Sequence, residues 1–172
     1  PRNIEIKASV SNVTALITTS ASLADSAPTL IRQDDTFFAC ANGRLKLRAF
    51  PNGSGELIFY QRANQDGPKS SFYDITPTHD AASLRNTLSL AFGAVGRVIK
   101  NRTVYFIGRT RVHIDEVENL GNFMELEVVV EDGESEESGI QEAHALMTAL
   151  GIHSSALIKG AYVDLLDTRC DQ

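Results

Sequence analysis

Two glutamates one residue apart, Glu125 and Glu127, stand in the run Leu120-Gly121-Asn122-Phe123-Met124-Glu125-Leu126-Glu127-Val128-Val129-Val130. The run reads as a strand entered from a Gly-bearing turn, and strand side chains alternate between faces. Both carboxylates therefore share one face, with Met124, Leu126 and Val128 on the other. Two carboxylates about 7 Å apart along one strand repel each other unless a cation or basic side chains lie between them. The same alternation carries charge elsewhere. Lys46-Leu47-Arg48 puts two cations on one face, and Asn3-Ile4-Glu5-Ile6-Lys7 puts an amide, a carboxylate and an ammonium on one face. That combination suits a metal-bound polyphosphate.

The elements that must position these residues follow from periodicity and turn chemistry. Strands are predicted over 3–10, 29–40, 45–50, 56–62, 69–75, 98–108, 110–116 and 124–131. Helices are predicted over 13–24, capped by Ser11, from Thr78 or Asp80 to about 92, over 138–150, capped by Ser138, and over about 161–166. Pro51-Asn52-Gly53-Ser54-Gly55 and Gln65-Asp66-Gly67-Pro68 mark turns, and the short links favour antiparallel pairing. The alternation of charged and apolar faces fits two architectures. One is an open sheet with its polar face in water and helices on its apolar face. The other is a closed barrel with the charged faces inward, where about eight strands leave room for one small ligand. Alternation does not separate them, because both bury the same apolar face.

The bulk numbers fit a single domain over 1–172 with a real core: 172 residues, 42% apolar and 22% charged. The net charge of -6 argues against general nucleic-acid binding. That sum hides segregation. No acid lies between Asp80 and Asp115, where Arg85, Arg97, Lys100, Arg102, Arg109 and Arg111 fall; Asp115 to Glu142 then carries eleven acids and no Lys or Arg. Arg outnumbers Lys 11 to 5, a weak sign of planar contacts to phosphate. Cys40 and Cys170 form neither a metal pattern nor a disulfide framework. No stretch approaches the roughly 20 apolar residues of a membrane span, and the chain runs straight into a strand without a signal-peptide core. These features lead to the expectation of a cytosolic protein, with Pro1 as the residue left after removal of an initiator Met. His79, His144 and His153 read as surface residues, Tyr60 and Tyr105 as packing, and the acids 131–137 as a solvated loop. Lys69 reads equally as a solvated side chain or a phosphate ligand.

A series of motifs resembles the CYTH superfamily, the triphosphate tunnel metalloenzymes. Asn3-Ile4-Glu5-Ile6-Lys7 is similar to its Glu-x-Glu-x-Lys signature. The likeness continues through Gly43-Arg44-Leu45-Lys46-Leu47-Arg48, Gly55 to Arg62, Lys100-x-Arg102-x-x-Tyr105, Val112 to Glu127 and Tyr162-x-Asp164-Leu165-Leu166. Each motif is weak alone, and their order along nearly the whole chain is specific. The class IV adenylate cyclase group looks nearest; thiamine triphosphatases and inorganic triphosphatases look more distant. The resemblance implies an α+β fold built on a closed eight-stranded antiparallel β-barrel, a tunnel, with flanking helices.

It also implies roles. Glu125 and Glu127 match the pair that holds the catalytic metal, Mg²⁺ or Mn²⁺, with Glu5 as a further ligand and Asp115 as an extra acid nearby. Glu5, Lys7 and Glu127 are the implied catalytic residues. Lys7, Lys46, Arg48, Arg62, Lys100, Arg102, Arg111 and Lys159 are the implied substrate-binding cations. Two positions depart from the pattern. The first signature Glu is Asn3 here, and His113 stands where triphosphatases tend to carry an acid, so one of two metal sites is in doubt. The implied activity is metal-dependent hydrolysis of a small triphosphate, inorganic tripolyphosphate or thiamine triphosphate, by a monomer or homodimer with no nucleic-acid or membrane partner. Cyclisation of ATP to cyclic AMP and pyrophosphate is one alternative, and a non-catalytic polyphosphate or nucleotide binder is another. Hydrolysis is preferred because no adenine pocket is visible in the sequence.

Overall fold

The computed structural model describes residues 2–170, without the side chains of Arg169 and Cys170. The reading of Pro1, and that of the Cys170 thiol, fall outside the described residues; Cys40 is a free thiol. In chain order the elements are β1 (Arg2–Ser9), α1 (Val13–Leu23), β2 (Thr29–Phe38), β3 (Arg44–Ala49), β4 (Gly55–Arg62), β5 (Lys69–Thr78), α2 (Ala81–Phe92), β6 (Ala94–Ile107), β7 (Thr110–Val117), β8 (Gly121–Val130), α3 (Glu136–Ala149), a 3₁₀ turn (Ser154–Ala156) and α4 (Tyr162–Cys170).

The strands close into a barrel in the order β1-β5-β4-β3-β2-β6-β7-β8. Closure rests on β1, which is paired along both edges. Residues 2–9 run antiparallel to β8, with Glu5 opposite Glu127 and Lys7 opposite Glu125, while residues 2–5 run antiparallel to the start of β5. This decides between the two architectures that alternation allows: the charged faces line a lumen, and the apolar faces of β1, β7 and β8 form its outside. Ile4, Ile6, Val112, Met124, Leu126 and Val128 point outward and pack with Ala143 and Leu150 at α3 and Leu16 of α1. A second cluster joins Phe37, Val98, Val117 and Phe123 to Tyr162 and Val163 of α4. No helix among the described residues is long and apolar enough to cross a membrane.

The helix starts differ in detail from the predicted ones. Asn12, not Ser11, caps α1, accepting from the Ala15 N–H at 3.0 Å. Asp80 caps α2 through the Ser83 N–H at 2.9 Å. α3 begins at Glu136, following Ser135 rather than Ser138, with Glu136 and Glu137 in the first turn, where carboxylates favour the helix dipole. β6 begins at Ala94, directly after α2, because Gly93 turns the chain at φ 78°. At α4, Asp164 accepts from the Ala161 N–H at 2.9 Å and takes the Arg44 guanidinium at 2.7 Å, which ties the helix to β3.

α4 seats closely because β6 carries a glycine beneath it. A Cβ on Gly96 would lie 2.3 Å from Cγ2 of Val163, far inside van der Waals contact. Gly96→Ala should therefore lower stability by about 1–3 kcal/mol through overpacking, read as a lower thermal midpoint. Adding Val163→Ala should recover most of that loss. If the double variant is no more stable than Gly96→Ala, the close approach of β6 and α4 is not its cause.

Candidate active site

The inward side chains enclose a cavity of about 350 Å³, in the size range of small-molecule sites. β1 contributes Asn3, Glu5 and Lys7; β2 Ile31, Gln33, Asp35 and Phe37; β3 Lys46 and Arg48; β4 Glu56, Ile58, Tyr60 and Arg62; β5 Ser71, Tyr73 and Ile75. β6 contributes Lys100, Arg102, Val104 and Phe106; β7 Arg111 and His113; β8 Glu125 and Glu127. The two ends differ. At one, Lys7 and Arg62 donate to the Gly160 carbonyl at 3.2 and 2.8 Å, and Tyr162 lies across the wall with the Lys7 ammonium 4.0 Å from its ring centre. Following the strand register away from α4 leads to Ile31, Ile75, Val104 and Phe106. Ile75 and Phe106 are 44% and 43% exposed. That end is an apolar lip, which the sequence reading did not foresee.

One wall is basic and organised by Asp35, which is 1% exposed. Arg48 grips it with two parallel bonds of 2.9 Å, and the ammonium groups of Lys46 and Lys100 lie at 3.3 and 3.2 Å. Burial alone would push the Asp35 carboxyl up; the charges of Arg48, Lys100 and Lys46 outweigh it and hold the group well below the usual range. The lysines pay the opposite way. Burial brings Lys46 down to about 8 and Lys100 to about 7, and Asp35 only partly offsets it.

The facing wall carries the carboxylates. Glu125 pairs with Lys7 at 3.2 Å and with Arg102 at 2.9 Å, and Glu127 pairs with Arg111 at 3.0 Å. Burial would raise the Glu125 carboxyl, and the charges of Lys7 and Arg102 hold it well below its ordinary value. Glu5 is the exception. Burial and the neighbouring Glu127 charge raise its carboxyl, and Arg62, at 3.1 Å, offsets only part of that. Asn3 sits in the wall with its amide oxygen 3.2 Å from Nη2 of Arg111 and its NH₂ 3.0 Å from the Arg2 carbonyl.

Donor atoms of His113, Glu125 and Glu127 lie within 4.8 Å of one another. Nδ1 of His113 is buried without a hydrogen-bond partner and faces the two carboxylates at 3.7 and 3.8 Å. An orphaned nitrogen beside two carboxylates fits a divalent cation.

Glu5, Lys7, Lys46, Arg48, Arg62, Lys100, Arg102, Arg111, Glu125 and Glu127 thus share one cavity. Two expected residues do not. Asp115 is fully buried and does not line the cavity: two 2.7 Å bonds from Arg102 and a 2.7 Å bond from the Tyr162 hydroxyl engage it, so it orients Arg102. Lys159 is exposed on the segment before α4, 3.7 Å from Asp66. Lys69 is buried rather than solvated and does not line the cavity; it donates to the Gln65 carbonyl at 2.9 Å. Tyr60 lines the cavity, whereas Tyr105 belongs to the outer core. Sequence reasoning missed Asp35, Gln33 and Tyr162. Only the parity of β2, with Ile31, Gln33, Asp35 and Phe37 on one face, could have signalled the first two.

Residues 1–162 match the CYTH domain family. Adenylate cyclase CyaB of Aeromonas hydrophila is 32% identical over 99 residues, 58% of this chain and 49% of that protein, so the chain aligns with about half of that relative's length. Among solved structures, the PH1012 protein of Pyrococcus horikoshii OT3 superposes with a TM-score of 0.84 at 20% identity, covering 95% of this chain and 98% of that one. A putative adenylyl cyclase from Hippeastrum, described as having a dominant triphosphatase activity, superposes at 0.61 with 17% identity, covering 87% and 88%. At these identities the superpositions speak for the fold. Taken with the family match over nearly the full length, the closed tunnel with its paired carboxylates and facing cations means that the chain belongs to the CYTH domain family.

Proposed function

We propose that the protein hydrolyses a small triphosphate, inorganic tripolyphosphate or thiamine triphosphate, in a reaction that requires Mg²⁺ or Mn²⁺. The observation that carries this reading is the opposition of Lys46, Arg48 and Lys100 to Glu125 and Glu127 across one 350 Å³ cavity. A triphosphate brings about four negative charges, which need cations on one side and a carboxylate-held metal on the other. Arg48 and Arg62 offer planar guanidinium groups to phosphate oxygens, and Lys46 and Lys100 offer point charges. Arg102 and Arg111 are already oriented by Asp115 and Glu127. Glu125 and Glu127 would hold the metal, which supplies charge stabilisation to the phosphoryl oxygens when bound. Glu5, with its raised carboxyl, is placed to orient a water and accept its proton.

The apolar lip favours a second reading. Ile31, Ile75, Val104 and Phe106 offer an organic group a surface at the open end. A nucleoside triphosphate seated there would present its own 3′-hydroxyl as the nucleophile, giving a cyclic nucleotide and pyrophosphate. The curated relative carries the adenylate cyclase name.

Purified protein with Mg²⁺ or Mn²⁺ should release phosphate from tripolyphosphate or thiamine triphosphate faster than it converts ATP to cyclic AMP. The reverse order establishes the cyclase reading, and binding without turnover of any of the three leaves a binding module. Glu127→Gln should lower metal-dependent turnover by at least about a hundredfold with an unchanged circular dichroism spectrum, and near-normal activity would remove Glu127 from the metal. Arg48→Ala should chiefly raise KM, and an unchanged KM would contradict phosphate contact.

The depressed lysines set a pH dependence. Lys100, at about 7, and Lys46, at about 8, lose protons in the free cavity as pH rises. Bound polyphosphate favours their charged forms. Titration calorimetry with a non-hydrolysable triphosphate should therefore find proton uptake on binding and weaker affinity as pH climbs from 7 to 9. Between those values and the ordinary lysine value the unfolded chain binds more protons than the folded one. Ligand-free stability should accordingly rise with pH across that window. Affinity that is flat over this range would show that these ammonium groups do not touch phosphate.

A further inference from the structure

We propose that His113 is itself a metal ligand and that its nitrogen turns the site toward Mn²⁺ and Co²⁺ and away from Mg²⁺. This deepens the metal-dependent reading above and rests on it.

Three observations meet at this residue. His113 is 5% exposed, on β7 between β6 and β8, with its ring in the inner wall of the cavity. Its Nδ1 has no hydrogen-bond partner, a costly state for a buried polar atom. That nitrogen points at Oε2 of Glu125 and Oε1 of Glu127 from 3.7 and 3.8 Å, beyond hydrogen-bond reach of either. Metal–ligand bonds of about 2.0–2.2 Å place neighbouring donor atoms roughly 3–4 Å apart. The spacing is thus too long for a hydrogen bond and right for an ion shared by all three groups.

The donor chemistry follows. Two carboxylates alone make a hard oxygen site that suits Mg²⁺. An imidazole in the same shell favours later divalent ions, since nitrogen ligands gain in affinity from Mn²⁺ onward along the first transition row. Asn3 removes a further carboxylate from the same wall, where it engages Arg111 instead. His113 thus makes this wall less hard, and both residues leave it less negative than carboxylates there would.

Metal binding without substrate tests the inference. Pulsed electron paramagnetic resonance of the Mn²⁺-loaded protein should show coupling to one imidazole ¹⁴N, and His113→Gln should abolish it. Calorimetry should find Mn²⁺ and Co²⁺ bound tighter than Mg²⁺. In His113→Gln, affinity for Mn²⁺ should fall by about tenfold or more while affinity for Mg²⁺ changes much less. His113→Glu should move the preference back toward Mg²⁺, an inversion that general damage to the fold would not produce. Absence of nitrogen coupling in the wild-type protein overturns the proposal whether or not the variants fold, and so does coupling that persists in His113→Gln. Nitrogen coupling in a protein that turns over no triphosphate would leave His113 as a ligand and reject only the hydrolase reading. Turnover with Mg²⁺ and no nitrogen coupling would do the reverse.

Discussion

A buried charge must find its counter-charge within the protein, and the tunnel depends on meeting that demand without a guest. Asp35 answers Arg48, Lys46 and Lys100; Asp115 and Glu125 answer Arg102; Glu5 answers Arg62; Glu127 answers Arg111. Leaving one member of such a pair alone costs about 3–5 kcal/mol. The wall is therefore organised before any ligand arrives. An arriving anion meets side chains already oriented, and it needs only to draw them from internal carboxylates toward its own oxygens. The pairing lowers the attraction of the free cavity and also lowers the reorganisation needed to use it.

The barrel follows from the same demand. A strand such as β1 has Ile4 and Ile6 on one face and Asn3, Glu5 and Lys7 on the other. An open sheet would satisfy the polar face with water. Closure satisfies it with facing strands, and it does so because β1 can pair along both edges. The helices then cover the outside, where α3 and α1 meet the large apolar cluster and α4 seals one end. Tyr162 joins the two tasks: its ring packs on Phe123 and its hydroxyl fixes Asp115.

Strand alternation and turn residues were enough to place all eight strands and four helices near their observed positions, since a period of two and Asn-Gly or Asp-Gly turns are local properties. What depended on register was not legible. Asp34 and Asp35 are adjacent; Asp34 faces outward to Arg97 and Arg85, and Asp35 faces inward to three cations. Parity puts them on opposite faces, but the three cations that meet Asp35 come from other strands and show only once the barrel closes. Asp115 shares its parity with His113, and the resemblance placed it near the metal, but Arg102 lies directly across from it and takes it. Lys159 lies before α4 outside any periodic element, so no alternation aimed it. The Ser11 and Ser138 caps failed for a simpler reason: another cap-competent residue, Asn12 or Ser135, stood within three positions. The lip was missed because Ile31, Ile75, Val104 and Phe106 lie on three separate strands and form one surface only after closure.

The two departures on the acidic wall act in one direction. Asn3 and His113 both stand where a carboxylate would add negative charge, and Lys7, Arg102 and Arg111 already engage Glu125 and Glu127. A cation approaching this wall alone competes with those side chains for the same oxygens. On the proposed function, a triphosphate would draw the basic groups toward itself and free the carboxylates, and the metal would in turn offset the charge of the triphosphate. Each guest would therefore improve the site for the other, a coupling between binding events that needs no movement of the barrel. On that reading a wall so nearly neutral by itself could still serve a metal, because the negative charge that His113 and Asn3 withhold would be brought in by the ligand.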